Sequence, residues 1–370
     1  MKSDSDRGRS PLAGALDNAS VPDIAIAGRP IGPNHPPYII AELSANHMGD
    51  LERALKLVEV AASTGVDAVK LQTYTPDTIT LDHDGPDFRI RGGLWDGRTL
   101  YDLYEEAHTP WEWHKPLFEK GRALGVAVFS SPFDDTAVDL LESLGAPAYK
   151  IASFEAVDLP LIERVARAGR PMIVSTGMAD RTEIGEAVNA ARGAGCGEIV
   201  LLHCVSGYPA PAEDSNLRTI PDLQARFAVQ CGLSDHTLGT GVATAAVALG
   251  ATVIEKHFTL SRADGGPDGA FSLEPAEFKT LVADARTAWA ALGRINYDRA
   301  PSEQQNAQFR RSLYVVKDIA AGETWTREHV RSIRPGHGLA PKHLNQVLGR
   351  VAARNVSCGT PLDWGMLKDL

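Results

Sequence analysis

The sequence predicts an α/β protein built on a (β/α)8 TIM barrel, followed by a small, mostly β module. Eight short apolar runs rich in β-branched residues recur between residues 38 and 258, each followed by an amphipathic stretch. Eight such units within roughly 250 residues match a barrel in count and length. No Gly-rich dinucleotide fingerprint follows the first run, which counts against the alternative of a doubly wound sheet.

In chain order, residues 1–20 contain no continuous apolar segment of signal-peptide type and read as a flexible tail. Residues 21–36 (VPDIAIAGRPIGPNHP) read as a hairpin turning at AGRPIG, and with the barrel make a domain over residues 21–295. The eight strand runs are YIIAELS (38–44), DAVKLQT (67–73), VAVFSS (126–131), AYKIAS (148–153), PMIVST (171–176), EIVLLHC (198–204), QCGLSD (230–235) and TVIEKHF (252–258). Asp50 is placed to cap the helix LERALKLVEVAAS, and Gly65 to close it. Asp134 is placed likewise before DTAVDLLESL, with Gly145 and Pro147 ending it. Residues 74–109 form a long second βα connection with Trp95, Tyr101 and Tyr104, a length typical of functional loops or lids. Residues 296–309 are polar and linker-like, and residues 310–370 carry short strand-like runs separated by glycines and prolines.

Composition narrows the classes. Lys and Arg number 37 against 47 Asp and Glu, giving a net charge of −10, a poor basis for coating nucleic acid or an anionic bilayer. With 44% hydrophobic and 23% charged residues, the chain has the balance of a soluble protein with a large core. No stretch approaches the roughly 20 apolar residues of a membrane span. The four cysteines, Cys196, Cys204, Cys231 and Cys358, form no CxxC pair and read as small hydrophobes in a reducing cytoplasm. Cys204 beside His203 has no second Cys/His pair with which to build a metal-thiolate site.

Active sites of parallel barrels lie at the C-terminal ends of the strands. Read there in order, the chain offers Glu42, Ser44, Asn46 and His47, then Lys70, Gln72 and Tyr74. Ser130 and Ser131 follow, then Lys150, Ser153 and Glu155, then Ser175 and Thr176. The last three ends give His203, Ser206 and Tyr208, then Ser234, Asp235 and His236, then Glu255, Lys256 and His257. Buried charges are costly unless paired, so this crowding points to a ligand site rather than to stability. Lys70 and Lys150 with Ser153 and Ser175 supply cations and hydroxyl donors suited to a phosphate. His236 and His257 end adjacent strands, so their imidazoles can converge on one divalent metal with open positions. Glu42, Glu155 and Asp268 are candidate acids, bases or hydroxyl clamps whose roles the residues alone do not sort. Blander readings suit Asp84-Gly85-Pro86 (a surface turn), Arg310-Arg311 (too short for a nucleic-acid patch) and Trp111, Trp113 and His114 (packing).

In this order, the motifs IIAELSANHMGD, AVKLQTY, FSSPFD, YKIASFE, STGM, YPAPAED, GLSDHTLG, EKHFTL and GGPDGAFSLEP resemble the sialic-acid (nonulosonic acid) synthase family. The tail, with SLYVVKDIAAGE and RSIRPGHGL, resembles that family's C-terminal antifreeze-like (SAF) domain, so the resemblance covers about residues 37–370. LWDGRTLYDLYEEAHTPWEWH and FSLEP are most similar to the family's pseudaminic acid branch, with the N-acetylneuraminate and legionaminate branches as near relatives.

The resemblance implies condensation of phosphoenolpyruvate with an open-chain amino-sugar aldehyde, releasing phosphate. For the pseudaminic branch the acceptor would be 2,4-diacetamido-2,4,6-trideoxy-L-altrose. It maps a divalent metal, Mn2+ first and Mg2+ or Co2+ next, onto His236 and His257. It maps phosphoenolpyruvate contacts onto Lys70, Lys150, Ser153, Ser175 and Ser234, and active-site acids onto Glu42, Glu155 and Asp268. Tyr208 falls at the tyrosine of the family's YP motif. Ser206 stands where N-acetylneuraminate synthases tend to carry asparagine, which argues for a different sugar or an altered phosphate cradle. The family also implies a domain-swapped homodimer in which Arg334 reaches the partner's acceptor. Two other readings predict different chemistry: a Schiff-base aldolase using Lys150, and a non-catalytic sugar- or ice-binding protein suggested by the tail.

Overall fold

A computed structural model describes residues 21–368; the flexible tail expected over residues 1–20 lies outside them. The described residues fall into two compact units, one ending at Gly293 and the other beginning at Arg294.

The first unit opens with a hairpin, β1 (Ile24–Ile26) and β2 (Arg29–Ile31), that turns at Ala27-Gly28 with both residues at positive φ. Eight parallel strands then close into a barrel: β3 (Tyr38–Glu42), β4 (Ala68–Thr73), β5 (Ala127–Pro132), β6 (Tyr149–Ile151), β7 (Met172–Ser175), β8 (Ile199–Cys204), β9 (Gln230–Asp235) and β10 (Val253–His257). Each strand pairs with its sequence neighbour, and β10 returns to β3 with Val253 beside Tyr38 and His257 beside Glu42. Closure of this kind excludes the doubly wound alternative, which leaves two open edges.

The connecting helices start where the caps place them. Asp50 accepts from the Glu52 and Arg53 amides to open α1 (Leu51–Ser63), and Gly65 follows it at φ +90°. The long second connection contains α2 (Pro76–Ile79) and α3 (Leu100–Ala107) before its crossover helix α4 (Trp111–Leu124). Asp134 caps α5 (Asp135–Ser143), and Gly145 follows it at φ +70°. The ring is completed by α6 (Leu159–Arg167), α7 (Arg181–Gly193), α8 (Thr219–Phe227), α9 (Gly241–Ala248) and α10 (Pro275–Leu292). None of the described helices is long and apolar enough to cross a membrane.

Two apolar layers follow from strand alternation. Outward side chains such as Val69, Val174 and Leu201 pack against the helices. Inward ones such as Ile40, Phe129, Ile173 and Val253 fill the barrel, where Ile24, Ile26 and Ile31 of the hairpin join them. The hairpin thus plugs the N-terminal end, each buried isoleucine contributing roughly 1.5–3 kcal/mol. The opposite end is left for polar groups.

The second unit pairs β11 (Ser312–Val315) with β12 (Val330–Ile333) and, among its described residues, carries one short α-helix, α11 (Leu344–Val347), with isolated bridges between its loops. Its core is built on Trp325, Leu313, Val347 and Leu362. The polar stretch over residues 301–309 forms an exposed 3-10 segment.

Candidate active site

Side chains alternate along a strand, so the residue two positions beyond an inward apolar residue also faces inward. Each barrel strand uses that step to change from apolar to polar. Ile40 is followed by Glu42, Ala68 by Lys70, Phe129 by Ser131 and Ala148 by Lys150. Ile173 is followed by Ser175, Leu202 by Cys204, Gly232 by Ser234 and Val253 by Glu255. All eight are buried, and together they floor the mouth of the barrel. One further step brings Gln72, Gly177, Ser206, His236 and His257.

The same alternation corrects the strand-end list. Ser130, His203, Asp235 and Lys256 point out of the barrel and do not reach the interior. Ser130 bonds Thr73, whose hydroxyl also meets His114 Nε2 at 2.8 Å behind the strands. His203 is satisfied by the Ser215 carbonyl at 2.6 Å, and Lys256 pairs with Asp235 at 2.7 Å. Cys204 and His203 therefore face opposite ways. The His203–Cys204 thiolate site that the sequence disfavours has no geometric basis.

On the floor, Lys70 Nζ lies 2.5 Å from Glu42 Oε2 and 3.7 Å from Glu255 Oε1. Among the described residues Lys150 Nζ has one carboxylate in reach, Glu255 at 3.5 Å. Burial alone would lower Lys70, but Glu255 and Glu42 outweigh it and raise its pKa. Lys150 is lowered by burial, which Glu255 offsets only in part. Burial would also raise Glu255, yet Lys150 and Lys70 hold it low; Glu42 is the carboxyl that burial pushes up. Two lysines facing two carboxylates carry little excess charge, so the open cation is Lys150 rather than the pair. The buried Ser175 Oγ has no hydrogen-bond partner among the described residues. Ser153 Oγ donates to Cys204 Sγ at 3.4 Å, and Ser234 Oγ to Glu255 at 3.3 Å. A Cβ at Gly177 would collide with the Ser153 and Ser206 hydroxyls, so glycine there lets three strand ends meet.

The rims carry the remaining groups. The rings of His236 and His257 lie 5.4 Å apart, with Tyr208 4.4 Å from His236 and Phe271 4.9 Å from His257. His236 Nδ1 donates to the Val205 carbonyl at 2.9 Å, so Nε2 is the nitrogen left for a metal; burial alone would lower this imidazole's pKa, but the neighbouring Cys204 outweighs it and raises it. His257 Nδ1 is buried without a partner, and burial keeps that imidazole neutral. A divalent transition metal requires deprotonated ring nitrogens: His257 offers one directly, His236 offers one on giving up its proton, and two such ligands leave open positions. Among the described residues no group of three or more His, Cys, Asp or Glu forms a closed metal cage. Glu155 ends a 3-10 turn after β6; burial pushes its carboxyl up to about 7, and its Oε2 lacks a partner. Asp268 is raised by burial and accepts from Ser44 Oγ. Gln72 donates to Glu42 Oε1 and to Ser44 Oγ, each at 3.0 Å. From the long second connection, Trp95 donates to the Pro267 carbonyl at 3.1 Å and leans on Tyr208 at 5.9 Å. Arg334 belongs to the second unit, where it is exposed directly after β12.

Glu42, Lys70, Lys150, Ser153, Glu155, Ser175, Ser206, Tyr208, Ser234, His236, His257 and Asp268 thus collect at one barrel mouth. Glu255, which the sequence placed among the strand-end residues without a role of its own, and Cys204, which it read as a small hydrophobe, belong with them. Parity is the signal that singles both out, since each sits two residues before a site residue.

The NeuB family model matches residues 57–297, and the SAF domain model matches residues 310–368. A pseudaminic acid synthase from Campylobacter jejuni subsp. jejuni is 46% identical over 89% of this chain and 96% of its own length. An N,N'-diacetyllegionaminic acid synthase from Legionella pneumophila is 36% identical over 91% of this chain and 96% of its own. The solved structure of N-acetylneuraminic acid (sialic acid) synthetase from Leptospira borgpetersenii, in complex with citrate, superposes with a TM-score of 0.69 at 31% identity. It covers 78% of this chain and 96% of that one. A matching barrel, a polar floor built strand by strand and this identity across nearly the whole sequence lead to one conclusion: the chain belongs to the NeuB family and ends in a SAF domain.

Proposed function

We propose that this protein is a pseudaminic acid synthase, condensing phosphoenolpyruvate with 2,4-diacetamido-2,4,6-trideoxy-L-altrose to give pseudaminic acid and phosphate. The observation that carries the chemistry is the buried cradle of Lys150, paired to one carboxylate at 3.5 Å, beside the unpartnered Ser175 hydroxyl. The acceptor rests on identity, 46% to a pseudaminic acid synthase against 36% to a legionaminic one. Legionaminate or N-acetylneuraminate synthesis is the alternative within the same chemistry.

In this reading Lys150, Lys70, Ser153, Ser175 and Ser234 hold the phosphoryl and carboxylate groups of phosphoenolpyruvate on the buried floor, where each contact is strengthened. Its C3 forms the new bond to the acceptor's aldehyde carbon, and the carbonyl electron pair goes to the aldehyde oxygen. His236 and His257 would hold the divalent metal, Mn2+ first among candidates, and when bound it supplies Lewis-acid polarisation of that aldehyde. C2, left electron-poor, takes a water oxygen. Glu155, with a carboxyl poised near neutrality, accepts the water proton, and C–O cleavage at C2 then releases phosphate. Glu42 is tied to Lys70, Gln72 and the Ser44 amide, so it fixes the floor. Acceptor hydroxyls fall instead to Asp268, Tyr208 and Ser206 at the rim.

A domain-swapped homodimer is part of the proposal. Met48, Phe154, Val157, Met178 and Leu238 are large apolar side chains exposed on the loops after β3, β6, β7 and β9. An apolar rim around a polar site calls for a cover, and a second copy's SAF domain, bringing Arg334, supplies one. A cytoplasmic location is supported by four free cysteines, three of them buried.

The test is phosphate release from phosphoenolpyruvate with altrose-, mannose- and legionaminate-type acceptors. Preference for the 2,4-diacetamido altrose supports the assignment. Preference for N-acetylmannosamine overturns the acceptor, and a borohydride-trapped pyruvate adduct on Lys150 overturns the mechanism.

A further inference from the structure

We infer that the buried ion pair between Lys256 and Asp235, on the outer face of the barrel, is a clamp that sets the spacing of His236 and His257. It rests on the metal reading above and deepens it: the clamp consists of positioning residues for the metal-binding imidazoles.

The argument begins with register. Lys256 and Asp235 are direct partners in the β9–β10 ladder, the last pair before the two histidines. Alternation sends their side chains outward and the histidines inward, so the clamp acts through the backbone from behind. Lys256 Nζ lies 2.7 Å from Asp235 Oδ2 and 2.5 Å from the Thr237 carbonyl. One ammonium group therefore grips the residue on each side of His236 and ties both to the residue preceding His257. Asp235 Oδ1 completes the knot, accepting from the Thr237 amide at 2.9 Å and the Thr237 hydroxyl at 2.8 Å.

The pair is an unusual choice for stability alone. Both side chains are almost fully buried, and apolar residues of similar volume generally serve a core as well or better. A methionine at position 256 would fill the space but could not hold the Thr237 carbonyl. What the lysine adds is direction: two bonds at fixed angles on either side of one ligand. Inside the barrel, Ser234 and Glu255 bond at 3.3 Å one register below, so the two strand ends are braced on both faces beneath the histidines. Metal affinity depends on ligand spacing, and groups that orient ligands typically alter it 10–100-fold, roughly, when removed.

The experiment titrates Mn2+ into the purified full-length protein, with free and bound Mn2+ followed by electron paramagnetic resonance. Circular dichroism and thermal unfolding report on folding. Wild type should bind one Mn2+ per chain, and Lys256→Met should bind it roughly 10–100-fold more weakly with an altered bound-state spectrum. Asp235→Asn, which keeps the lysine on Thr237, should lose less. Should Lys256→Met leave Asp235 unpaired and unfold, the uncharged double variant Asp235→Asn/Lys256→Met takes its place with the same weakening expected. A folded variant lacking Lys256 whose affinity and spectrum stay within about twofold of wild type overturns the clamp. Failure of wild type to bind Mn2+, or undiminished binding by His236→Ala, overturns the metal reading itself. That failure is distinguishable because it appears without touching Lys256.

Discussion

Lys150 Nζ lies 3.5 Å from Glu255 Oε1, and both side chains are buried inside the barrel. Glu255 is shared, since it also faces Lys70 at 3.7 Å. Removing Lys150 leaves Lys70 to face both Glu255 and Glu42, so the loss falls on the ligand and, in part, on stability. Lys150→Met should fold, with a melting temperature below that of wild type. It should lose roughly a hundredfold or more in kcat/KM for phosphoenolpyruvate, the scale of ~3 kcal/mol expected of a charge-assisted contact. Steady-state kinetics with phosphoenolpyruvate varied provide the check, and unchanged kinetics would remove Lys150 from the cradle.

Glu155 links pH to both rate and stability. Burial pushes its carboxyl up to about 7 from an ordinary 4.5. As the base that takes the water proton it must be ionised, so kcat should fall as pH drops through about 7. Glu155→Gln should lower kcat and erase that acid limb. The native state holds this proton more tightly than the unfolded chain, so between about pH 4.5 and 7 this group's contribution to stability declines as pH rises. Glu155→Gln should then melt higher than wild type at pH 8, with the difference vanishing near pH 4. An acid limb that survives the substitution would assign the water proton elsewhere.

At Gly177 the backbone passes so close to Ser153 and Ser206 that an added methyl must turn both hydroxyls away. Serine side chains can rotate, so Gly177→Ala should fold with a modest loss of thermal stability. Ser153 leaves the cradle and Ser206 leaves the acceptor rim, so KM should rise for both substrates, about tenfold for phosphoenolpyruvate, while kcat changes less. An unchanged KM for phosphoenolpyruvate would place its recognition away from Ser153.

The proposed exchange of SAF domains makes a complementation test available. His236→Ala should be inactive through its own barrel, and Arg334→Ala through the partner it serves. Mixed and allowed to exchange, the two should recover about a quarter of wild-type activity, because half the dimers carry one intact site. Activity that never rises above the parents would mean that each chain serves its own site.

The barrel was legible in the sequence because its cause is local. Eight β-branched runs and capping aspartates such as Asp50 and Asp134 specify elements by chemistry within a few residues of themselves, and closure of β10 on β3 follows from their number. The ends of those runs also supplied the site's candidates. They did not say which side of the wall each residue faced. Listing Lys256 with His257, or Ser130 with Ser131, merged an outer lining with an inner one. A two-residue period anchored on the inward apolar layer separates them, and that anchor is known only once the barrel closes.

The sequence by itself determined the barrel, the inventory of charged groups at its mouth and the resemblance that named a chemistry. Tertiary structure alone decided that Glu255 is shared between Lys70 and Lys150, that Lys150 is the less compensated cation and that Lys256 grips Asp235 behind the histidines. The physical reason is that burial and pairing set the free energy of a charge, and both depend on which strands stand side by side: Lys150 and Glu255, more than a hundred positions apart, become partners only through closure of the sheet.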